Sequence, residues 1–176
     1  LALGLCACAL PKGLPEKGSD GNASLIYGYI DMSDAPAALE WVTYKQYKPV
    51  TDAPYFYMRV TGNLDDGYVF YREVPATGSF QVTSFGGEGS GFLDSTQYRF
   101  YFPEGKNETA VVLQQEGIYF MGAYKYVPIE KGFLEQPEYE LQPANISPQE
   151  ALDLIIPHTS GTRWEAAIRA AQGGTP

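Results

Sequence analysis

Few side chains in this 176-residue chain can do covalent or metal chemistry. Cys6 and Cys8 are its only thiols and His158 its only imidazole. A Ser–His–Asp system would set His158 beside a serine such as Ser160 and a carboxylate such as Asp153, so that the imidazole takes the hydroxyl proton while the carboxylate orients the ring. Ser160 stands too close to His158 along the chain to be a persuasive nucleophile, and no Gly-x-Ser-x-Gly elbow occurs. Zinc needs several His, Cys or carboxylate ligands converging on one point, which a single His far from both Cys does not supply. Asn63, Asp65 and Asp66 carry oxygens that calcium could take, but the EF-hand spacing is absent and Asp66-Gly67 has the composition of a tight turn. Phe85-Gly86-Gly87-Glu88-Gly89-Ser90-Gly91 is neither a phosphate loop nor a dinucleotide fingerprint, and it reads as a mobile loop that could touch a partner. The acidic residues are too scattered to single out the facing pair that glycoside hydrolysis requires. No catalytic residue, metal or cofactor is assigned, and the chain is not expected to be an enzyme.

The thiols have a different use. Leu5-Cys6-Ala7-Cys8 follows a short apolar run and precedes a stretch containing Pro11, Gly13, Pro15, Gly18 and Gly21. This order resembles the end of a bacterial lipoprotein signal peptide. Cys8 has aliphatic Leu5 three residues before it and small Ala7 just before it, whereas Cys6 has bulky Leu5 as its neighbour. The resemblance implies that Cys8 receives the lipid, that residues 1–7 are the remnant of a signal peptide whose start is missing, and that Cys6 leaves with it. A multiply acylated Cys anchors stably, since each buried CH₂ contributes about 0.8 kcal/mol and one chain alone holds only marginally. With Ala9 rather than Asp after Cys8, the resemblance points to the outer membrane, facing the periplasm. Residues 8–22 then form the lipidated Cys and a flexible tether, whose ~14 residues after Cys8 span roughly 20 Å.

Composition bounds the rest. Twelve basic against 21 acidic residues give a net charge of −9, and no cluster of Lys and Arg marks a nucleic-acid surface. No apolar run reaches the ~20 residues of a spanning helix. The chain holds 14 Tyr, 9 Phe, 19 Gly and 13 Pro, which suits many short strands joined by turns.

Those strands must position whatever site exists. Runs at 24–31, 41–47, 55–60, 68–73, 79–85, 98–102, 110–115 and 118–127, with Tyr139 and Leu141 in a last one, have strand composition, and a helical turn is expected at 36–40. In 55–60 the alternation is clear: Phe56, Met58 and Val60 share one face and Tyr55, Tyr57 and Arg59 the other. Glu116-Gly117 should turn a hairpin between 110–115 and 118–127. About eight or nine strands at this spacing predict an antiparallel β-sandwich over residues 23–146. A helical extension over 147–173 follows. Ser147-Pro148-Gln149-Glu150 is a capping box with Pro at the first helical position, and Pro157 should stop that helix near Ile156. Thr162-Arg163-Trp164-Glu165 starts a second helix ending near Gln172. Leu152, Ile155, Trp164 and Ile168 should pack on the strands.

Residues 69–83, VFYREVPATGSFQVT, are similar to a segment of prealbumin-like domains such as the regulatory domains of carboxypeptidases, with Phe70, Pro75, Gly78, Phe80 and Val82 in the matching roles. Phe80 stands where Tyr is commoner, and the Pro-to-Gly spacing is one residue longer. Residues 117–126, GIYFMGAYKY, resemble the late strand of uncharacterised bacterial envelope lipoproteins. These resemblances imply a sandwich and an envelope location, and no active site.

Tyrosine rings are large, rigid and amphipathic, and so suit sugar or protein binding. Tyr55, Tyr57, Tyr119, Tyr124 and Tyr126 are the candidate binding residues. The expected function is that of a lipid-anchored, non-enzymatic envelope protein that binds a protein partner or an envelope glycan. The alternative is a periplasmic hydrolase acting on an envelope polymer through a carboxylate cleft.

Overall fold

The computed structural model describes residues 22–50, 52, 55–62, 67–90, 95–102, 110–130 and 138–173. Cys8, the signal remnant and nearly all of the tether lie outside these residues, as do Asn63, Asp65 and Asp66.

The described chain is mainly β, with two short helices. The strands are β1 (Ala23–Asp31), β2 (Trp41–Lys48), β3 (Phe56–Gly62), β4 (Gly67–Pro75), β5 (Gly78–Ser90), β6 (Ser95–Tyr101), β7 (Ala110–Leu113), β8 (Ile118–Ile129) and β9 (Glu138–Pro143). They form one nine-stranded sheet in the order β6-β5-β2-β3-β4-β1-β8-β9, with β7 also paired to β5. The expected antiparallel sandwich is therefore corrected to a single curled, mixed sheet. The parallel element is β1 against β8.

The expected hairpin at Glu116-Gly117 is corrected with it. β7 pairs with the first residues of β5, while β8 joins the far half of the sheet beside β1 and β9. The crossover is pinned by Ser24, whose hydroxyl donates to Gln115 O at 3.2 Å and accepts from Gly117 N at 3.1 Å. Leu25 N also donates to Gly117 O. The short link thus carries the chain from the β5 edge to β1, and β7 and β8 do not pair.

Within the glycine-rich segment, Phe85 to Ser90 are not a loop, and Gly91 lies outside the described residues. They form the second half of β5, paired to β6 from Ser84↔Tyr101 to Ser90↔Ser95. The loop over residues 32–40, which has a tight turn closed by Ala35 N donating to Met32 O and no helical turn at 36–40, lies directly on it. A Cβ at Gly87 would sit 2.0 Å from Ala38 O, and one at Gly89 would sit 2.3 Å from Pro36 O. Here glycine lets two backbones approach, which explains the run without invoking mobility.

The curl encloses the main core, where Ile26, Ile30, Val42, Phe70, Phe80, Val82, Phe85 and Met121 are almost wholly buried. In the segment that resembles prealbumin-like domains, Phe70, Phe80 and Val82 all pack in this core, although its two strands, β4 and β5, lie apart in the sheet and do not pair with each other. Aromatic contacts hold the two ends of the sheet together: Phe100 meets Tyr126 at 5.0 Å and Phe102 meets Tyr124 at 5.1 Å. The Tyr139 hydroxyl donates to Tyr101 O at 2.7 Å and accepts from Tyr101 N at 2.6 Å.

The second core lies outside the curl. Leu25, Tyr27, Val69 and Tyr71 point outward and are covered by α1 (Pro148–Asp153) and α2 (Arg163–Gly173) through Leu152, Ile155, Trp164 and Ile168. Ser147 and Glu150 form the expected capping box. α1 ends sooner than expected, and Pro157 sits inside a 3₁₀ turn, Ile156–His158. α2 is fastened by Trp164 Nε1 donating to Glu73 at 2.6 Å, and by Arg163, which pairs with Glu116 at 2.9 Å and donates to Ala23 O at 3.1 Å.

Candidate functional site

The helices cover the outer surface of β1, β4 and β8 only. Apart from the 3₁₀ turn, whose His158 reaches Thr61 at the far end of β3, the outer surface of β3, β2, β5 and β7 carries no helix among the described residues, and strand alternation dictates what it presents. On β2, Val42, Tyr44 and Gln46 are buried while Lys45 and Tyr47 are exposed. On β3, Met58 is buried and Phe56 and Val60 pack on the core, which turns Tyr57 outward and Tyr55 with it.

Register brings these residues together. Thr43 lies opposite Tyr57 and Tyr44 opposite Phe56, the last paired position, beyond which Lys45 continues β2 and Tyr55 precedes β3. Across the other edge, Lys45 lies opposite Gln81. A bulge between Gln46 and Lys48 sets both Tyr47 and Lys48 against Ser79. Ser79 in turn lies opposite Val112. Tyr55 and Tyr57 meet edge to face at 5.7 Å, with 43% and 44% of their surfaces exposed. The Lys45 ammonium sits 5.2 Å from the centre of the Tyr47 ring. Of the seven exposed large apolar or aromatic residues among those described, Tyr47, Val50, Tyr55, Tyr57 and Val112 belong to this region, against Tyr101 and Ile129 elsewhere.

A hollow of about 360 Å³ opens at the lower end of this face, lined by Lys48, Pro49, Thr77, Ser79, Val112 and Leu113. Beyond Tyr57 the face leads to Arg59, whose guanidinium bonds the Tyr71 hydroxyl. Burial raises the Tyr71 pKa and Arg59 partly offsets this. A second hollow, of about 420 Å³, lies under the 32–40 loop beside Tyr68 and Glu88, which is its one carboxylate.

The five candidate tyrosines are not brought together. Tyr55 and Tyr57 are exposed neighbours, Tyr119 is half-buried with its hydroxyl on Gln115 O, and Tyr124 and Tyr126 are 8% and 4% exposed, in the main core. Tyr124 and Tyr126 are corrected from binding candidates to core residues. The reason is Gly122, at φ +112°, where the β1–β8 register slips between Tyr27↔Phe120 and Tyr29↔Ala123. The slip lets Tyr119, Met121, Tyr124 and Tyr126 all pack inward, while Ile118 and Phe120 face the helices. Sequence reasoning passed over Lys45, Tyr47 and Lys48, although the same alternation that separates Tyr57 from Met58 runs through WVTYKQYK. The hollow depends on the non-local β5–β7 pairing and had no local signal.

Of the residues considered for catalysis, His158 meets the outer surface of β3 only at Thr61, at the opposite end of that strand from Tyr55. His158 Nε2 is 2.7 Å from Thr61 Oγ1 and, among the described residues, has no carboxylate partner. Asp153 accepts from Gln149 at 2.9 Å and from Gln172. Among the described residues no group of three or more His, Cys, Asp or Glu could hold a metal ion, and no helix is long and apolar enough to cross a membrane.

No family model and no curated protein matches this chain. Among solved structures it is similar to a leucine-rich repeat protein from Bacteroides thetaiotaomicron VPI-5482, with 8% identity and a TM-score of 0.36, over 60% of this chain and 14% of that one. It is also similar to a protein from Bacteroides fragilis NCTC 9343 described as a "putative cell adhesion protein", with 11% identity and a TM-score of 0.30, over 73% of this chain and 48% of that one. The chain thus spans less than half the length of either protein, and scores this low do not establish a shared fold.

Proposed function

We propose that this chain is a non-enzymatic binding protein of the bacterial cell envelope, held by a lipid on Cys8 and facing the periplasm from the outer membrane. It binds a protein partner or an envelope glycan through the bare outer surface of β2 and β3. One observation carries this reading: one half of the sheet's outer surface lies under α1 and α2, while the other half stays bare and presents Tyr47, Tyr55 and Tyr57. Exposed rings grouped in this way are characteristic of binding surfaces, whereas scattered ones are ordinary. The anchor rests on the resemblance around Cys8, and a tether of roughly 20 Å would let the face reach ligands beyond the lipid headgroups.

Co-sedimentation of the Cys8→Ser chain, which can take no lipid, with isolated native envelopes tests the reading, the further substitutions being made in that chain. The Tyr55→Ala/Tyr57→Ala double variant should lose at least about fivefold in retention, while Arg169→Ala on exposed α2 should be retained like the parent. Equal retention of all three would contradict it.

A further inference from the structure

The bare face differs from the rest of the molecule in charge. The chain carries −9 overall, yet β2, β3, β7 and β5 from Gly78 to Ser84 contain no carboxylate at all, and they hold Lys45, Lys48 and Arg59. Arg59 is engaged with Tyr71, but Lys45 and Lys48 are exposed and form no ion pair among the described residues. Described acids flank these strands in sequence, among them Glu40 just before β2, Asp52 in the β2–β3 connection and Glu116 three residues past β7, but none lies within them. An acidic chain whose exposed aromatic strands carry no acid and hold lysines has, along those strands, the charge complement of an anion.

The surroundings narrow the kind of anion. Lys and Ser are depleted in protein–protein interfaces, whose centres are apolar and desolvated. Here both lie among the rings, together with Gln81 and the hydroxyl-bearing, ammonium-rimmed hollow of Thr77, Ser79 and Lys48. Tyrosine faces to stack on, hydroxyls and an amide to bond, and ammonium groups for negative charge are what a polyhydroxylated ring bearing a carboxylate requires. We infer that the β2–β3 face binds an acidic polysaccharide whose sugars carry carboxylates, that is, a uronate polymer. Its rings stack on Tyr55, Tyr57 and Tyr47, and its carboxylates pair with Lys45 and Lys48. This rests on the binding role proposed above for the same face.

Titration of the full chain, released from the membrane, against polygalacturonate, alginate and hyaluronan tests the inference. Fully methyl-esterified polygalacturonate serves as the neutral counterpart, and vesicles of phosphatidylcholine and phosphatidylglycerol in equal parts as the lipid alternative. At least one uronate polymer should bind, at least about tenfold tighter than the neutral form, a difference of about 1.4 kcal/mol. The Lys45→Gln/Lys48→Gln variant should lose most of that preference, and Tyr55→Ala/Tyr57→Ala should weaken acidic and neutral polymers alike. Salt near 1 M, where the Debye length is about 3 Å, should erase the preference too. Equal affinity for the neutral and acidic polymers would overturn the uronate assignment and leave the face's binding role standing. Binding to the anionic vesicles alone, or to no polymer, would also overturn it, and envelope co-sedimentation would then decide the binding role separately.

Discussion

The Tyr27 hydroxyl donates to Pro148 O at 3.1 Å and so joins β1 to the first residue of α1. Burial, with a smaller contribution from Asp153, pushes its pKa up to about 12. A raised tyrosine pKa means that the folded state holds its proton more tightly than the unfolded chain. The resulting stability is complete below about pH 10, the ordinary tyrosine value, and is lost as pH rises towards about 12. Chemical denaturation followed across this window should show stability falling, and Tyr27→Phe should make the fall shallower while costing roughly 1 kcal/mol at neutral pH for the lost hydrogen bond. An unchanged alkaline slope in the variant would contradict this assignment. Tyr27 also illustrates what single residues conceal. The sequence presents 14 tyrosines of one chemistry, and only the packing separates a helix-fastening hydroxyl at Tyr27 and a sheet-closing one at Tyr139 from the exposed rings of Tyr55 and Tyr57.

The glycine-rich half of β5 shows how an element can be built by side chains that are missing. A Cβ at Gly87 would press against the Ala38 carbonyl, and one at Gly86 would sit 2.0 Å from Tyr98 O and 2.6 Å from the Trp41 ring. Gly87→Ala should therefore destabilise the fold by roughly 2 kcal/mol or more, read as a lower urea midpoint with unchanged slope. A loss under about 0.5 kcal/mol, the size of an ordinary surface change, would mean that the 32–40 loop does not rest on β5. Strands β1 to β4 were legible because each alternates or carries a compact aromatic run. Both helices were legible because Ser147 and Thr162 cap them and Leu152, Ile155, Trp164 and Ile168 repeat at helical spacing. What escaped was non-local. The glycines of β5 look like a loop until the covering loop is in place. The partners of β7 and β8 follow from Ser24 reaching Gln115 and Gly117, distant in sequence. Gly122 hides which side of β8 its tyrosines take.

At the scale of the molecule, one curled sheet has two outer surfaces of opposite fate. Residues 147–173 return to cover the apolar surface of β1, β4 and β8, where Leu25, Val69 and Tyr71 would otherwise meet water. That cover touches β3 at Thr61 through His158 and leaves β2 and the Tyr55–Tyr57 end of β3 bare. The uncovered surface keeps its tyrosines, excludes acid and gathers lysines, and this asymmetry carries the functional reading. Of the candidate site, Tyr55 and Tyr57 were legible from alternation within one strand, whereas the bareness of their surface depends on where the C-terminal helices lie. Hydrogen–deuterium exchange on the protein bound to isolated native envelopes measures that asymmetry directly. The account predicts slowed exchange in β2 and in residues 55–59 on binding, with the α1 and α2 amides unchanged. Protection confined to α1, α2 or β9, with β2 and β3 exchanging as in the free protein, would contradict it.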